Sequence, residues 1–130
     1  MKLDGKICVV TGGAMGNGLG VVEVFLKYGA TVIVLDYDNK VLEMNAKYDG
    51  KVTGYKVDIR DRDGVNRCIN EVYNQYGRID VLVNNAGVCR LESFEDMSDE
   101  LRDFQFDINI KGTWNVTKAC LPYMKNKDSA

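Results

Sequence analysis

The 130-residue sequence contains no histidine. This absence excludes Ser–His and Cys–His nucleophile pairs, and it removes one of the commonest ligands of protein zinc sites. The cysteines are widely spaced and form no C-x-x-C pair: they are Cys8, Cys68, Cys89 and Cys120. We therefore expect reduced thiols, a cytoplasmic protein and no metal site.

A basic block and a long apolar run are also absent. The formal net charge of −2 and the pI of about 5.1 argue against nucleic acid or an anionic membrane surface as the main partner. The first apolar run, residues 7–10, is too short for a signal peptide or a transmembrane helix. An apolar fraction of 45% is typical of a soluble globular protein, and the length suits one domain, residues 1–130.

Four short segments rich in β-branched residues alternate with segments of helical periodicity. Near-continuous apolar runs are typical of strands buried on both faces of a parallel sheet. The expected strands are 6–11, 31–36, 52–57 and 79–83, and the first expected helices are 18–28, about 39–47 and 62–76. This order predicts an α/β fold, a doubly wound parallel sheet (Rossmann-like) with helices on both faces.

The expected helix boundaries depend on capping residues. Asp38 and Asp61 stand where a side chain can accept a hydrogen bond from the first helical turn, and Gly29 and Gly77 stand where a helix can end. Ser98, followed by two acidic residues, is typical of another helix start. We expect helix from there onward, apart from the glycine at 112 and the proline at 122.

The segment TGGAMGNGLG, residues 11–20, joins the first predicted strand to the first helix. In such a sheet a ligand binds beyond the carboxyl ends of the strands, where the strand order reverses. Gly12 would allow the turn, Gly16 would let backbone N–H groups approach a pyrophosphate, and Gly18 would permit close helix–strand packing. Because the spacing G-x-x-x-G-x-G is not the commoner G-x-G-x-x-G, a plain strand–helix turn is an alternative interpretation.

Asp36 ends the second predicted strand, 18 residues after Gly18. A carboxylate at this place can bind both ribose hydroxyls of an adenosine. It would repel a 2′-phosphate, and neither Met15 nor Tyr37 supplies a cation that would offset the repulsion. The sequence therefore favours NAD over NADP, although a helix cap or a solvated turn residue is an alternative interpretation of Asp36.

The third and fourth predicted strands end in residues that can face the same crevice. Asp58 and Ile59 follow the third strand, and NNAG at 84–87 follows the fourth. Amide side chains there can lock neighbouring loops or bind a ribose, and the small Ala86 and Gly87 would let a cofactor lie against the main chain. By itself, however, NNAG is equally a turn signal.

Taken together, these motifs resemble the short-chain dehydrogenase/reductase family. The glycine loop, Asp36, Asp58-Ile59, NNAG and NIKG at 109–112 occur in the family's order and spacing, so that the resemblance covers essentially all 130 residues. NAGVCR at 85–90, DMSDE at 96–100 and DINIKGTWNVTKACLP at 107–122 are most similar to the UcpA-type oxidoreductases within it. The resemblance implies hydride transfer between NAD and an alcohol/ketone pair.

The resemblance also implies roles for individual residues. The loop glycines would hold the pyrophosphate, Asp36 the adenosine ribose, Asp58 and Ile59 the adenine, and residues 85–87 the nicotinamide-side ribose. Asn109 matches an active-site asparagine that holds a water in a proton relay. The cofactor-binding set is Gly12, Met15, Gly16, Asn17, Gly18, Asp36, Tyr37, Asp58, Ile59, Asn85, Ala86 and Gly87. Within this set Asn17 departs from the family pattern, which has an apolar residue before the last glycine.

The family's catalytic serine, tyrosine and lysine have no counterparts here. In the family the serine polarises a carbonyl, and a tyrosine four residues before a lysine acts as acid and base. Tyr123 and Lys127 match this spacing, but they stand at the end of the last helical segment, where the family has no catalytic residues. We therefore expect Tyr123 to pack at a helix end, the fold to be truncated after the fourth strand and its helices, and the chain to be inactive alone.

A sheet that stops at its fourth strand would expose that strand as an edge, which is a template for pairing with another chain. The resemblance also places apolar side chains on helices that partner subunits partly cover: Phe104, Ile108, Trp114, Val116, Leu121 and Met124. We therefore expect a homo-oligomer. An NAD-binding module without turnover and a self-associating fragment both remain open beside an oxidoreductase.

Overall fold

The computed structural model describes residues 2–125, and its elements alternate as the sequence predicts. The strands are β1 (Ile7–Thr11), β2 (Thr31–Asp36), β3 (Val52–Lys56) and β4 (Val81–Val83). The helices are α1 (Gly16–Lys27), α2 (Lys40–Lys47), α3 (Arg62–Tyr76), α4 (Asp99–Phe106) and α5 (Thr113–Cys120). A π-helical turn, Asp107–Gly112, joins α4 to α5, and a 3-10 turn, Leu121–Tyr123, follows α5.

The four strands form one parallel sheet in the order β3-β2-β1-β4. The chain adds β2 and β3 on one side of β1 and later returns to add β4 on the other side. The strand order therefore reverses at β1, as in a doubly wound sheet. The predicted fold class is confirmed, and β4 is an edge strand of the sheet that residues 2–125 build.

Alternate side chains of the central strands point to opposite faces of the sheet. Val9, Ile33 and Leu35 pack on the face covered by α3 and α5. Cys8 and Val34 pack on the other face, which α1 and α2 cover. All five side chains are fully buried, which explains why the strands appear in the sequence as near-continuous apolar runs.

The predicted start and end of α3 and the predicted start of α4 are confirmed. The Asp61 carboxylate accepts a hydrogen bond from the Gly64 N–H at 3.1 Å, and the Ser98 hydroxyl accepts one from the Leu101 N–H at 3.1 Å. Gly77 ends α3 with a φ of 72°, a left-handed conformation that favours glycine.

Other boundary predictions are wrong in detail. The N-cap of α2 is Asn39; Asp38 lies one residue too early and accepts a hydrogen bond from the Lys40 N–H at 2.8 Å. Gly112 does not interrupt the helical segment, because it closes the π-helical turn and packs directly on Ile59. The last strand begins at residue 81, two residues later than expected.

Part of the predicted apolar surface belongs to the core instead. Val116 is fully buried between the sheet and α3, so the expectation that a partner covers it is wrong. Ile108 and Met124 are partly buried against the same core. Trp114 is 62% exposed and Leu121 is 45% exposed, and these two remain available to a partner.

All four cysteines are free thiols. Burial raises the pKa of Cys8 to about 11 and that of Cys120 to about 12, so both are protonated at neutral pH. Residues 2–125 contain no group of three side chains arranged to hold a metal ion. No helix in this range is long and apolar enough to cross a bilayer.

Asp80 connects β1 to the start of β4. Its side chain is 1% exposed, and its Oδ2 accepts a hydrogen bond from the Ile7 N–H at 2.8 Å. The Arg78 guanidinium donates to both carboxylate oxygens, with Nε 2.9 Å from Oδ2. Burial alone would raise the pKa of Asp80, but the Arg78 guanidinium and the Ile7 N–H outweigh burial and hold this pKa below its ordinary value.

We expect Asp80→Ala to lower the free energy of unfolding by about 2 kcal/mol near neutral pH, because the buried Ile7 N–H loses its acceptor. Because the pKa of Asp80 is lower in the folded protein, its charged form contributes to the free energy of unfolding above the ordinary pKa of 3.8. This contribution is lost as the pH falls through the folded-state pKa. Urea unfolding near neutral pH and at a pH well below 3.8 measures both states. If the free energies of unfolding of the wild type and of Asp80→Ala differ equally at both pH values, the Asp80 charge does not contribute as described.

Candidate functional site

A cleft of about 520 Å³ opens at the carboxyl ends of the strands. Its walls come from the glycine loop, the ends of β2 and β3, the loop after β4, and the helical segment beyond it. Nine of the twelve cofactor-binding residues that the sequence predicts line this cleft: Gly12, Met15, Asp36, Tyr37, Asp58, Ile59, Asn85, Ala86 and Gly87. The other three, Gly16, Asn17 and Gly18, form the first turn of α1.

Two polar side chains hold the glycine loop from opposite sides. The Asp36 Oδ2 accepts a hydrogen bond from the Ala14 N–H at 3.0 Å. The Asn85 Nδ2 donates to the carbonyl oxygens of Thr11 and Gly12, each at 3.1 Å. The ends of β2 and β4 therefore fix the shape of the loop that lies between them.

Two of the glycines predicted to hold the pyrophosphate, Gly12 and Gly18, have no room for a side chain. Gly12 has a φ of 67°, and a Cβ there would lie 3.0 Å from both the Asn85 Nδ2 and the Ala86 Cα. A Cβ on Gly18 would overlap the Gly12 carbonyl and would lie 2.5 Å from the Asn85 Nδ2. Gly18 thus lies where α1 packs closely against the loop.

The first turn of α1 carries no side-chain cap. The helix begins at Gly16, two residues earlier than predicted, and its N-cap residue, Met15, makes no side-chain hydrogen bond. By contrast, Asp61 caps α3 and Ser98 caps α4. Because the first N–H groups of a helix have no partner within the helix and form the positive end of its dipole, those of α1 remain available to an anion.

Thr11 is a site residue for which the motifs predicted no role. It is buried, and its hydroxyl accepts hydrogen bonds from the N–H groups of Asn85 at 3.0 Å and Ala86 at 2.9 Å. These bonds attach the NNAG segment to the end of β1. In the sequence, only the position of Thr11 at the start of the glycine loop indicates this role.

Two cations in the cleft also escaped prediction. The guanidinium carbons of Arg60 and Arg90 lie 5.3 and 5.4 Å from the ring centroid of Phe104. Arg60 additionally forms an ion pair with Asp58, with Nη2 2.6 Å from Oδ2. This hydrogen-bonded pair holds the pKa of Asp58 below its ordinary value. The cleft therefore contains positive charge, although neither Met15 nor Tyr37 is a cation.

Asn109 lies on the π-helical turn, an irregularity that is frequent at functional sites. Its Oδ1 accepts a hydrogen bond from the Val88 N–H at 2.8 Å, and its Nδ2 donates to the Val88 carbonyl at 2.7 Å. A Cβ on Gly87 would lie 3.1 Å from the same Oδ1. The side chain of Asn109 thus anchors the loop after β4 to the helical wall of the cleft.

Tyr123 has a packing role, as expected. Its ring stacks on Tyr73 with the centroids 4.1 Å apart, and its hydroxyl donates to the Asn70 Oδ1 at 2.8 Å. These partners lie on α3, away from the cleft. Lys127, the other member of the matching pair, lies outside the described residues.

Comparison with known proteins decides the family. The family model described as short chain dehydrogenase matches residues 6–130. This chain belongs to the short-chain dehydrogenase family. Oxidoreductase UcpA of Salmonella typhimurium is 48% identical over 131 residues, which cover 98% of this chain and 50% of that relative. The resemblance to UcpA-type oxidoreductases is confirmed.

Solved structures of the family share the fold. The ligand-free aldohexose dehydrogenase of Thermoplasma acidophilum has a TM-score of 0.82 at 34% identity, covering 94% of this chain and 45% of its own. A short-chain dehydrogenase of Mycobacterium paratuberculosis, solved bound to NAD, has a TM-score of 0.87 at 28% identity, covering 95% and 52%. This chain spans about half the length of the curated relatives it matches.

Proposed function

We propose that residues 1–130 form a nucleotide-binding domain that binds NAD in the cleft and does not by itself turn over an alcohol or a ketone. The observation that carries the proposal is the uncapped N-terminus of α1, beside a glycine loop that side chains from β2 and β4 hold in place. A diphosphate suits such an N-terminus, because several N–H groups and the helix dipole face it. The NAD-bound relative from Mycobacterium paratuberculosis supports the choice of ligand.

Asp36 has acceptor capacity for the adenosine ribose. Its Oδ1 accepts one hydrogen bond from the Asp38 N–H at 2.9 Å, and its Oδ2 accepts one from the Ala14 N–H. A carboxylate oxygen has two lone pairs, so each oxygen can accept a further bond from a ribose hydroxyl. The carboxylate therefore serves as a turn residue and as a candidate ribose ligand, and we propose NAD over NADP on its charge.

When bound, the nicotinamide ring would supply the hydride acceptor or donor. Gly16, Asn17 and Gly18 would hold the diphosphate, while Ala86 and Gly87 would let the cofactor lie against the main chain. Among the described residues the cleft is lined by no serine and no lysine, and its one tyrosine, Tyr37, is 71% exposed beside Asp36. These residues would bind and orient the cofactor, but they include no acid–base pair that could accept or donate the proton of an alcohol.

Calorimetric titration with NAD, paired with an NADH oxidation assay on a panel of ketones, tests both parts of the proposal. We expect saturable binding and no ketone-dependent loss of NADH. Loss of NADH with a ketone would contradict the proposed inactivity, and folded protein that gives no heat with millimolar NAD would contradict binding. The alcohol/ketone substrate class and the cytoplasmic location are proposals that rest on the family.

Self-association is a second candidate property. Within the described residues β4 pairs with β1 alone, and Trp114 and Leu121 stay exposed on α5 and the turn after it. We expect light scattering at micromolar concentration to give a mass above the 14.6 kDa of one chain. Trp114→Glu should lower this mass, whereas Leu42→Glu, a control on the exposed side of α2, should not. A wild-type protein that is monomeric would contradict this property.

A further inference from the structure

Arg60 forms the partition between two cavities. It lines the cleft and also a neighbouring cavity of about 640 Å³, which lies between the start of α3, the π-helical turn and α5. Its guanidinium is held on the ring of Phe104 and on the carboxylate of Asp58. Arg60 therefore has a defined position at the end of β3.

This position uses the acceptor capacity of Asp58. The Oδ1 accepts hydrogen bonds from the Arg60 N–H at 2.9 Å and from Nε at 3.1 Å. The Oδ2 accepts from the same Nε at 3.1 Å and from Nη2 at 2.6 Å. Since a carboxylate oxygen accepts about two hydrogen bonds, Asp58 has little capacity left for a donor on a ligand.

The two carboxylates of the cleft therefore differ. Each oxygen of Asp36 accepts a single backbone N–H, whereas both oxygens of Asp58 are occupied by one arginine. The Arg60 guanidinium still has N–H donors beyond those that Asp58 accepts. Beyond the end of β3, the cleft thus offers a ligand hydrogen-bond donors more readily than hydrogen-bond acceptors.

We propose that Arg60 competes with the base of a bound dinucleotide for the Asp58 carboxylate, and thereby weakens the preference of the cleft for a base with an exocyclic amino group. This inference rests on the proposed binding of NAD in the cleft, with the adenine beside Asp58 and Ile59 as the family resemblance implies. The 6-amino group of adenine is a donor that needs a free acceptor. A carbonyl at the same ring position is an acceptor, and the guanidinium can donate to it. Arg60 is then a residue that determines base specificity.

The competition for Asp58 can be tested by titrating the protein with NAD and with nicotinamide hypoxanthine dinucleotide. The second dinucleotide has a carbonyl in place of the 6-amino group. In Arg60→Met the thioether can pack on the Phe104 ring in place of the guanidinium, but the hydrogen-bond donors are lost. We expect the ratio of the hypoxanthine Kd to the NAD Kd to rise about tenfold, because adenine gains one hydrogen bond to a charged acceptor. The double variant Arg60→Met with Asp58→Ala should lose this gain.

Arg90→Met is the matched control, because it removes the other guanidinium over Phe104 and leaves the Asp58–Arg60 pair intact. An unchanged or lower ratio in Arg60→Met, with both dinucleotides still bound, would overturn the competition and leave the proposed function standing. If the ratio rises equally in Arg90→Met, the effect comes from the loss of positive charge, and the proposed competition is also overturned. If neither dinucleotide binds either protein, both proposals fail. Arg60→Leu repeats the measurement if Arg60→Met loses its helical circular dichroism.

Discussion

Gly18→Ala is expected to abolish measurable NAD binding and to destabilise the fold, whereas Gly20→Ala in the same helix should do neither. A Cβ at position 18 would overlap the Gly12 carbonyl and crowd the Asn85 amide, but a Cβ at position 20 meets no atom within 4 Å. Either α1 moves away from the loop or Asn85 gives up its bonds to the loop carbonyls. Both responses displace the N–H groups that we propose for the diphosphate.

The expected size follows from packing. Extra volume at a closely packed position costs about 1–3 kcal/mol of folding free energy, while alanine is favoured over glycine in a helix by about 1 kcal/mol. Gly20→Ala should therefore be neutral or slightly stabilising. Urea unfolding and NAD titration of both variants measure the contrast. A Gly18→Ala protein that keeps wild-type affinity would show that the close packing of α1 has no part in binding.

Asp36→Ala is expected to weaken NAD binding at least tenfold and to reduce the discrimination against NADP. Charge-assisted hydrogen bonds to the ribose contribute roughly 1.5–3 kcal/mol each, and the like charge that would repel a 2′-phosphate disappears. Arg60 and Arg90 in the same cleft would then attract that phosphate without opposition from Asp36. The measurement is the ratio of the NADP and NAD dissociation constants in the two proteins.

A control is needed because Asp36 also holds the glycine loop through the Ala14 N–H. Asp36→Asn keeps an acceptor for one backbone N–H and removes the charge. If charge decides the cofactor, Asp36→Asn should lose discrimination nearly as fully as Asp36→Ala while it keeps more of the NAD affinity. Unchanged affinities for both cofactors in Asp36→Ala would leave Asp36 as a turn residue alone.

The strands and most helix ends were predictable because their causes are local. Strands buried on both faces appear as apolar runs, and Asp61 and Ser98 cap helices through residues three positions away. The contents of the cleft were predictable to the extent that they follow strand ends. In a parallel sheet all carboxyl ends meet at one edge, so Asp36, Asp58 and the NNAG segment converge.

What the sequence did not predict depends on tertiary contacts. Phe104 meets Arg60 and Arg90 only because α4 folds over the strand ends, and no local period records that contact. The two hydrogen bonds between Asn109 and Val88 likewise join residues 21 positions apart. The family resemblance placed Val116 on a helix that a partner subunit partly covers. An apolar position on a helix does not by itself show whether the chain's own sheet or another subunit covers it.

Amide chemical shifts of the isotope-labelled protein during an NAD titration test most directly whether the first turn of α1 holds a diphosphate. We predict that the N–H signals of Gly16, Asn17 and Gly18 shift together and saturate with one Kd. The first-turn amides of α3, which Asp61 already caps, should stay in place and provide the internal control. NAD binding without movement of the three α1 signals, or no binding by the folded protein, would contradict the assignment of this cleft.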